Sequence, residues 1–553
     1  MALLVYEFRL LQTNHLNRPT REFPWRVGCA IVAWALVDVM VTLPVSKAWN
    51  DPLTASERMG RTIYHQGRTD TGDEVRVSLA GSEGSLSATL FRCVQCHGVW
   101  GQGTEEGGLR VPPLVPSFLM NQHASLQTGH SREAYTDQTL IRAITQGIDA
   151  SGVPLHSGMP RYRFTEQQAK AVVAYLKKIG TEEDSDPGVS VQAITVGAAL
   201  PMSGPLAGIG QDAQAVMQGY FRELNEHGGV YGRQIRLVVE DTKSNPSQLV
   251  EATARLIETE QVFALVGSFE FGKVHETISL IERTQVPLIG PLALSPQPSD
   301  LPNPYIFYTL PGFDVQYKVL FDVLVSHIRP AGGVARPRVA IIQPKRTAIL
   351  QTVLTSSRRR TVDIVVEYEY VRGSFDRVAV GEQLHQQSID AVVFIGDGED
   401  FVALGQELDH RHLSPMVLAS AGMVGHRALD VPPSVRTEVR LAVTLQPPTE
   451  QDRDQLEALA GRDELYNLGF ARMARGTASM LSDALMKIGR RVNRSLLLDE
   501  FERYRDVDIG EDFQLTYGPH RRIGSSRVRI FRVTPEAPHF IPVTDWVVPQ
   551  DFQ

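Results

Sequence analysis

Cysteine is scarce, with three residues in 553, at Cys29, Cys93 and Cys96, so no disulfide framework holds the chain together and any sulfur chemistry is local. A basic excess is absent as well. The chain has 55 Lys and Arg against 63 Asp and Glu, a formal charge of -8, which removes the electrostatic footprint of a nucleic-acid-binding protein. No Walker A sequence and no GxSxG elbow occurs, so the residues of a P-loop nucleotidase or an α/β-hydrolase are missing. Fixed-period repeats and low-complexity tracts are lacking too, and 42% hydrophobic with 21% charged residues is ordinary for a globular chain. At ~150 residues per domain the length accommodates roughly three to four folding units.

What is present begins with an export signal. Arg18, Arg21 and Arg26 precede the apolar run Val27–Val45, and Ser46 and Ala48 occupy the small-residue positions of a cleavage site before Trp49. Residues 1–48 read as a signal peptide, or as a signal anchor if the segment is not cut. The run is near the ~20 residues of a membrane span, although Asp38 at its centre is costly there. Membrane attachment through residues 27–45 is expected only in the uncleaved case, and in both cases the rest of the chain is periplasmic. Cys29 precedes most of the apolar run, the wrong place for lipid attachment. The first 48 residues carry five basic and three acidic side chains, so the remainder is more acidic than the whole.

Punctuation divides that remainder. Residues 182–190 lie in an acidic stretch, TEEDSDPGVS, that contains Pro187-Gly188 and lacks apolar periodicity, as a linker does. Residues 53–181 precede it and 191–553 follow. Just before the linker, Thr165 and Gln168 form a capping-box pattern, with Ala169, Val172, Leu176 and Ile179 at helical spacing and Gly180 as the stop. After it, the strand-like runs AITVGAAL, IRLVVED, FALVGS, VPLIGP, RVAIIQ and DAVVFIGDG alternate with helical patterns such as Asp212–His227 and Ser247–Glu260, which predicts βαβ units and a parallel sheet.

The sharpest chemical signal is Cys93-Val94-Gln95-Cys96-His97. Two thiols three positions apart can each add to a vinyl group of one haem, and the adjacent histidine then becomes the proximal iron ligand, so the motif predicts one covalently attached haem c. A zinc site would need a second thiol pair, and a redox CxxC would open a helix in a βαβ unit; neither context is present.

Residues 53–181 resemble the class I c-type cytochromes in GRTIYHQG, CVQCHG, GQGTEEGGLRVPPL, SGMPRY and AYLKKIG. The resemblance implies an all-α domain whose first and last helices cross, with Gly60 at the contact and Tyr64 and Tyr175 beside it. It implies Met159 as the second axial ligand to the iron, with His156 the main competitor and His123 and His130 behind it, and it leaves Met59 and Met120 to core packing. Pro113, in Pro113-Leu114, matches the stretch whose carbonyl accepts the proximal imidazole N–H. The insert between Gly67 and Thr89 reads as a surface hairpin or loop with no assigned function.

Residues 191–553 resemble the type I periplasmic solute-binding proteins of the leucine/isoleucine/valine and amide family of ABC importers. The likeness rests on ITVGAALPMSGPLAGIGQDAQAVMQGY, NEHGGVYGRQIRLVVEDTKSNP, LVGSFEFG, VPLIGPLALSP and TYGPHRRIGSSRVRIFRV. It implies two α/β lobes joined by three crossings, one of about 191–313 plus helices near 450–505, the other of about 314–440 plus the terminal strands. Gly208-Ile209-Gly210-Gln211-Asp212-Ala213 imitates a dinucleotide fingerprint, but PMSGPLA separates it from the strand, so NAD is not expected. Phe271 and Leu294 stand where amino-acid binders place hydroxyls. Ser268, Glu270, Phe271, Ser295 and Tyr308 are the candidate cleft residues for a solute that is less polar or more aromatic than an amino acid.

Together these readings predict an extracytoplasmic single-electron carrier whose binding-protein-like module senses a ligand or docks a partner, and not an enzyme. Its redox partner would be a periplasmic dehydrogenase, an oxidase or another cytochrome. The alternative is an ABC-importer receptor that delivers a small organic solute to a permease, with an accessory haem domain.

Overall fold

The structure is a computed structural model that describes residues 53–549 apart from 70–72, 80–83, 107–108, 125–130, 182, 294–302, 328–335, 346, 348–360, 511–513 and 537. The signal or anchor segment lies outside the described residues, and so do His130, Leu294 and Ser295. The described chain forms two compact units that divide between Pro187 and Gly188.

In the first unit, α1 (Ala55–Gln66) starts at a reciprocal cap. Glu57 N–H donates to Thr54 Oγ1 at 3.3 Å, and Thr54 N–H donates to Glu57 Oε2 at 2.6 Å. Two short strands, β1 (Arg76–Ser78) and β2 (Leu86–Ser87), precede α2 (Cys93–His97). The hairpin of β3 (Thr104–Glu106) and β4 (Leu109–Val111), the turn α3 (Pro116–Leu119) and the hairpin of β5 (His123–Ala124) and β6 (Ser131–Arg132) lead to α4 (Asp137–Gln146). Then come β7 (Arg161–Arg163) and α5 (Glu166–Leu176), which opens on the expected Thr165/Gln168 capping box. The helical pattern read through Gly180 stops earlier: the chain leaves α5 at Leu176 and passes through a turn to Gly180.

Helices α1 and α5 cross in contact. A Cβ at Gly60 would lie 2.0 Å from the Ala171 carbonyl oxygen, so the crossing needs glycine there. Tyr64 and Tyr175 meet edge to face at 5.6 Å, both fully buried, as the resemblance implied.

Two expectations change. The insert after Gly67 does form a hairpin, β1 with β2, but not one confined to the surface, because β1 also pairs antiparallel with β7 and the insert buries Val75, Val77 and Ala88 in the core. The acidic stretch after residue 181 is not wholly solvated either. Asp184 and Asp186 are 2% and 8% exposed, and Arg61 of α1 reaches them at 3.5 and 2.6 Å. Charge pairing, which leaves no apolar period in the sequence, ties this stretch to the first unit.

The second unit contains a parallel sheet and a mixed sheet, the latter with five parallel strands and an antiparallel pair at one edge, each covered by helices. The first lobe runs through β8 (Ala193–Leu200), α6 (Ala207–Glu226), β9 (Gln234–Asp241), α7 (Pro246–Glu258), β10 (Ala264–Val266), α8 (Val274–Thr284), β11 (Leu288–Ile289) and β12 (Ile306–Phe307). Its sheet order is β12-β11-β10-β8-β9. The second lobe runs through α9 (Phe313–His327), β13 (Arg338–Pro344), β14 (Asp363–Tyr370), α10 (Arg377–Gln386), β15 (Ala391–Phe394), α11 (Gly398–His410), β16 (Met416–Ser420) and β17 (Val439–Val443). The chain then returns to the first lobe with α12 (Glu450–Ala460), α13 (Leu468–Ile488) and α14 (Arg494–Glu502), whose apolar faces join the first lobe's core.

After the β18 (Val507–Asp508) and β19 (Gln514–Leu515) pair, β20 (Arg529–Val533) and β21 (Phe540–Pro542) complete the second sheet in the order β14-β13-β15-β16-β17-β20-β21. The chain therefore crosses between lobes after β12, after β17 and before β20, as expected. The first and third crossings are hydrogen-bonded, with Tyr308 N–H donating to Arg522 O and Gly524 N–H to Tyr308 O, both at 2.8 Å. The five parallel strands of each lobe share one order, 2-1-3-4-5 from the lobe's own first strand, a repeat of topology with no fixed-period repeat in sequence.

Candidate haem site and solute cleft

Helix α2 presents both thiols and the histidine within five residues. Cys93 is half-buried and Cys96 exposed, and burial pushes the Cys93 thiol up to about 11. His97 is 8% exposed, and its Nδ1 lies 3.0 Å from the carbonyl oxygen of Pro112. A carbonyl only accepts, so Nδ1 carries the proton and Nε2 holds the lone pair. Burial lowers the pKa of His97 against the pull of that hydrogen bond, which keeps the ring neutral, the form that ligates iron.

The acceptor is a correction by one residue: Pro112, not Pro113, fixes the ring. The reason lies in the loop. Gly103 N–H donates to His97 O at 2.8 Å and Leu114 N–H to Gly101 O at 2.7 Å, a register that brings the Pro112 carbonyl to the imidazole. Tyr64 Oη donates to Gly98 O at 2.7 Å and Thr104 Oγ1 to Cys96 O at 2.7 Å, so both sides of the motif are pinned. A covalent haem c fits this donor set, with Cys93 and Cys96 for the thioethers and His97 for the iron.

Met159 is half-buried in the loop before β7 and is not among the side chains packed on the unit's core, whereas Met59 and Met120 are. Its carbonyl accepts from Arg161 at 2.6 Å, and β7, two residues on, is held by β1. The insert thus supports the methionine loop, a relation between residues ~85 apart for which the sequence carries no signal. Of the competing histidines, His156 is exposed, its Nδ1 accepting from Gly158 N–H at 3.1 Å, and exposed His123 lies against the Phe118 ring at 4.3 Å. A network of His65, Tyr175, Asp184 and Arg61, missed from sequence, closes the back of the α1–α5 crossing.

In the second unit the false dinucleotide fingerprint is a packing element. A Cβ at Gly208 would meet the Tyr466 ring at 2.5 Å and one at Gly210 the Pro201 oxygen at 2.3 Å, while Asp212 accepts from Arg462 and from Asn467 N–H. Asp241 caps the loop after β8, accepting from the backbone of Met202, Ser203 and Lys243.

The structure separates the cleft candidates. Ser268 is 4% exposed and its Oγ accepts from Ala199 N–H at 3.1 Å, so it stitches β10 to β8. Phe271 is half-buried beside Phe269 at 5.6 Å. Glu270, partly exposed as a residue, and Tyr308 face each other at the carboxyl ends of β10 and β12, with Glu270 Oε1 and Tyr308 Oη buried, the phenol placed to serve the carboxylate, and no hydrogen-bond partner beyond the pair among the described residues. Burial pushes the Glu270 carboxyl up to about 7 and the Tyr308 phenol well above its usual range.

Comparison with known proteins agrees with both units. A sequence model described as "Periplasmic binding protein" matches residues 193–533, and one described as "Cytochrome c" matches 85–180, beginning after α1 and within the last residues of the insert. The Leu/Ile/Val-binding protein homolog 7 of Brucella abortus (strain 2308) is 24% identical over 234 residues, 41% of this chain and 58% of its own length, so the chain spans little more than half of that relative. The chemotactic signal transduction system substrate-binding protein BasB of Halobacterium salinarum is 24% identical over 350 residues, 58% of this chain and 81% of that protein.

Among solved structures, a fatty acid ABC transporter substrate-binding protein from Thermomonospora curvata aligns with TM-score 0.54 at 18% identity, over 66% of this chain and 95% of its own. A branched chain amino acid ABC transporter from Thermus thermophilus with bound valine aligns with TM-score 0.51 at 16% identity, over 65% and 98%. These structural likenesses establish the fold alone. With the binding-protein match spanning more than half of its residues, the chain belongs to the periplasmic binding protein family and carries a cytochrome c domain ahead of that module.

Proposed function

We propose that this protein is an extracytoplasmic haem c protein that carries single electrons, and that its binding-protein module serves ligand sensing or partner docking. The observation that supports the carrier role is the His97 Nδ1–Pro112 O hydrogen bond beside the CVQCH helix, an arrangement that orients a neutral imidazole for one iron face. Met159, half-buried outside the core packing, is the second ligand in this reading. Bound haem supplies reversible one-electron iron chemistry, and a thioether on the second axial position favours the ferrous state. His97 and Met159 would together hold the iron and leave no site for a substrate on it, which makes the proposed role carriage and not catalysis.

The sensing role draws on the name of one relative, BasB, a chemotactic signal transduction protein, and on the buried Glu270–Tyr308 pair, which has no hydrogen-bond partner beyond itself among the described residues. Both families work outside the cytoplasm, and residues 1–48 supply the matching export signal in sequence. Replacing Met159 with leucine tests the carrier reading. The haem should stay covalently attached while the midpoint potential falls by on the order of 0.1 V, within the ~0.8 V that axial ligands command. An unchanged potential and unchanged ferrous spectrum would reject Met159 as the ligand.

A further inference from the structure

In a sheet of order 2-1-3-4-5 the chain reverses direction across the sheet between its first and third strands, and small molecules bind beyond the carboxyl ends of the strands at that reversal. In the first lobe these strands are β8 and β10, joined at their carboxyl ends by the Ser268–Ala199 hydrogen bond. Glu270 lies four residues past the end of β10, and Tyr308 directly follows β12 on the first crossing between lobes.

The other acids at this edge have partners. Asp212 has Arg462 and a backbone N–H, and Asp241 has three backbone N–H groups and Ser203 Oγ. At the carboxyl edge of the second sheet a similar acid and phenol, Asp400 and Tyr370, have the charge of Arg372 nearby. Glu270 has no such help: among the described residues the one titratable group acting on it is the Tyr308 phenol. The next residue, Phe271, packs in the cluster that contains Tyr308, and its ring lies 5.6 Å from that of Phe269.

An acid buried with a phenol but no cation is costly to ionise unless something else supplies the charge and further donors. A ligand carboxylate would meet like charge here, which disfavours amino acids. A ligand ammonium offers three N–H donors, enough for Glu270 Oε1 and Tyr308 Oη together, and ring faces attract a cation.

We propose that the cleft at Glu270 and Tyr308 takes a small primary amine with an apolar body and no carboxylate. This rests on the reading of the second unit as a solute-sensing module. Burial of the Glu270 carboxyl supports it, since an acid left near neutrality is readily driven to its ionised form by an incoming cation.

Calorimetric titration of the full-length haem-loaded protein tests the assignment, with benzylamine, benzyl alcohol, benzoate and phenylalanine as one set of probes and isobutylamine, isobutanol, isobutyrate and valine as another. The amine of at least one set should bind tightest, and Glu270→Gln should weaken it by about tenfold or more, as for loss of a charge-assisted hydrogen bond, with Tyr308→Phe a smaller loss. Circular dichroism would establish that both variants are folded. Tighter binding of an alcohol, acid or amino acid leaves a solute receptor but overturns the amine assignment, and so does an amine that binds Glu270→Gln unchanged. No binding by any probe rejects both the amine and the sensing role, leaving partner docking.

Discussion

Both units bury acids, and they treat them differently. In the cytochrome unit Asp184 and Asp186 are buried against Arg61, which binds the end of the domain to its first helix. In the binding module Glu270 is buried with only a phenol before it. A buried charge with its counterion inside the chain is a structural tie, whereas one without it leaves room for a counterion from outside. The sign of a substitution therefore distinguishes the two.

The largest effect is expected at Arg61. Arg61→Met leaves Asp184 and Asp186 buried without their cation, which should cost about 3–5 kcal/mol in denaturant unfolding followed by the haem absorbance. Burial already holds Asp184 up at about 6, so the deficit should shrink as pH falls and the acids take up protons. A loss below ~1 kcal/mol would make the tie a surface contact and break the comparison.

Glu270 should respond with the opposite sign. Its folded pKa of about 7 lies above the ordinary 4.5, so folding favours the protonated form. Stability from this group is full below pH ~4.5 and is lost as pH rises through ~7. Glu270→Gln should therefore stabilise the ligand-free protein by up to about 3 kcal/mol at pH 8 and by almost nothing at pH 4.5, read as melting temperature against pH. An amine probe should stabilise the parent protein more than the variant.

The smallest effect sharpens the comparison within the binding module. Asp212 is buried and paired with Arg462, but the arginine is 40% exposed and Asn467 N–H also serves the acid. Arg462→Met should cost about 1 kcal/mol or less, because solvent screens the pair and the backbone donor remains. A loss as large as that at Arg61 would mean that exposure of one partner does not set the strength of these ties.

What could be read in sequence was local. The CVQCH motif, the Thr165/Gln168 cap, the alternating strands and helices and the Gly60–Tyr64–Tyr175 crossing all depend on neighbours a few residues apart, or on a family pattern that orders them. Readings that depended on register failed by small steps. The family pattern pointed to Pro113 as the ring's acceptor, and the loop hydrogen bonds place its neighbour Pro112 there instead. The helix read through Gly180 ends at Leu176 because apolar spacing continues through the turn that follows.

Other features could not be read at all. Ser268 looked like a ligand contact and is spent between strands, and the insert after Gly67, read as a surface hairpin or loop, forms a hairpin that also holds the strand beside Met159. The sequence by itself determined the haem chemistry, the fold of each unit and the order of its elements, because covalent attachment and secondary structure follow from residues close along the chain. Only the tertiary structure decided which buried acids are paired, since Arg61 and Asp186 lie 125 residues apart and Glu270 and Tyr308 are brought together by a parallel sheet. A charge's cost depends on what surrounds it in space, and no local pattern encodes that.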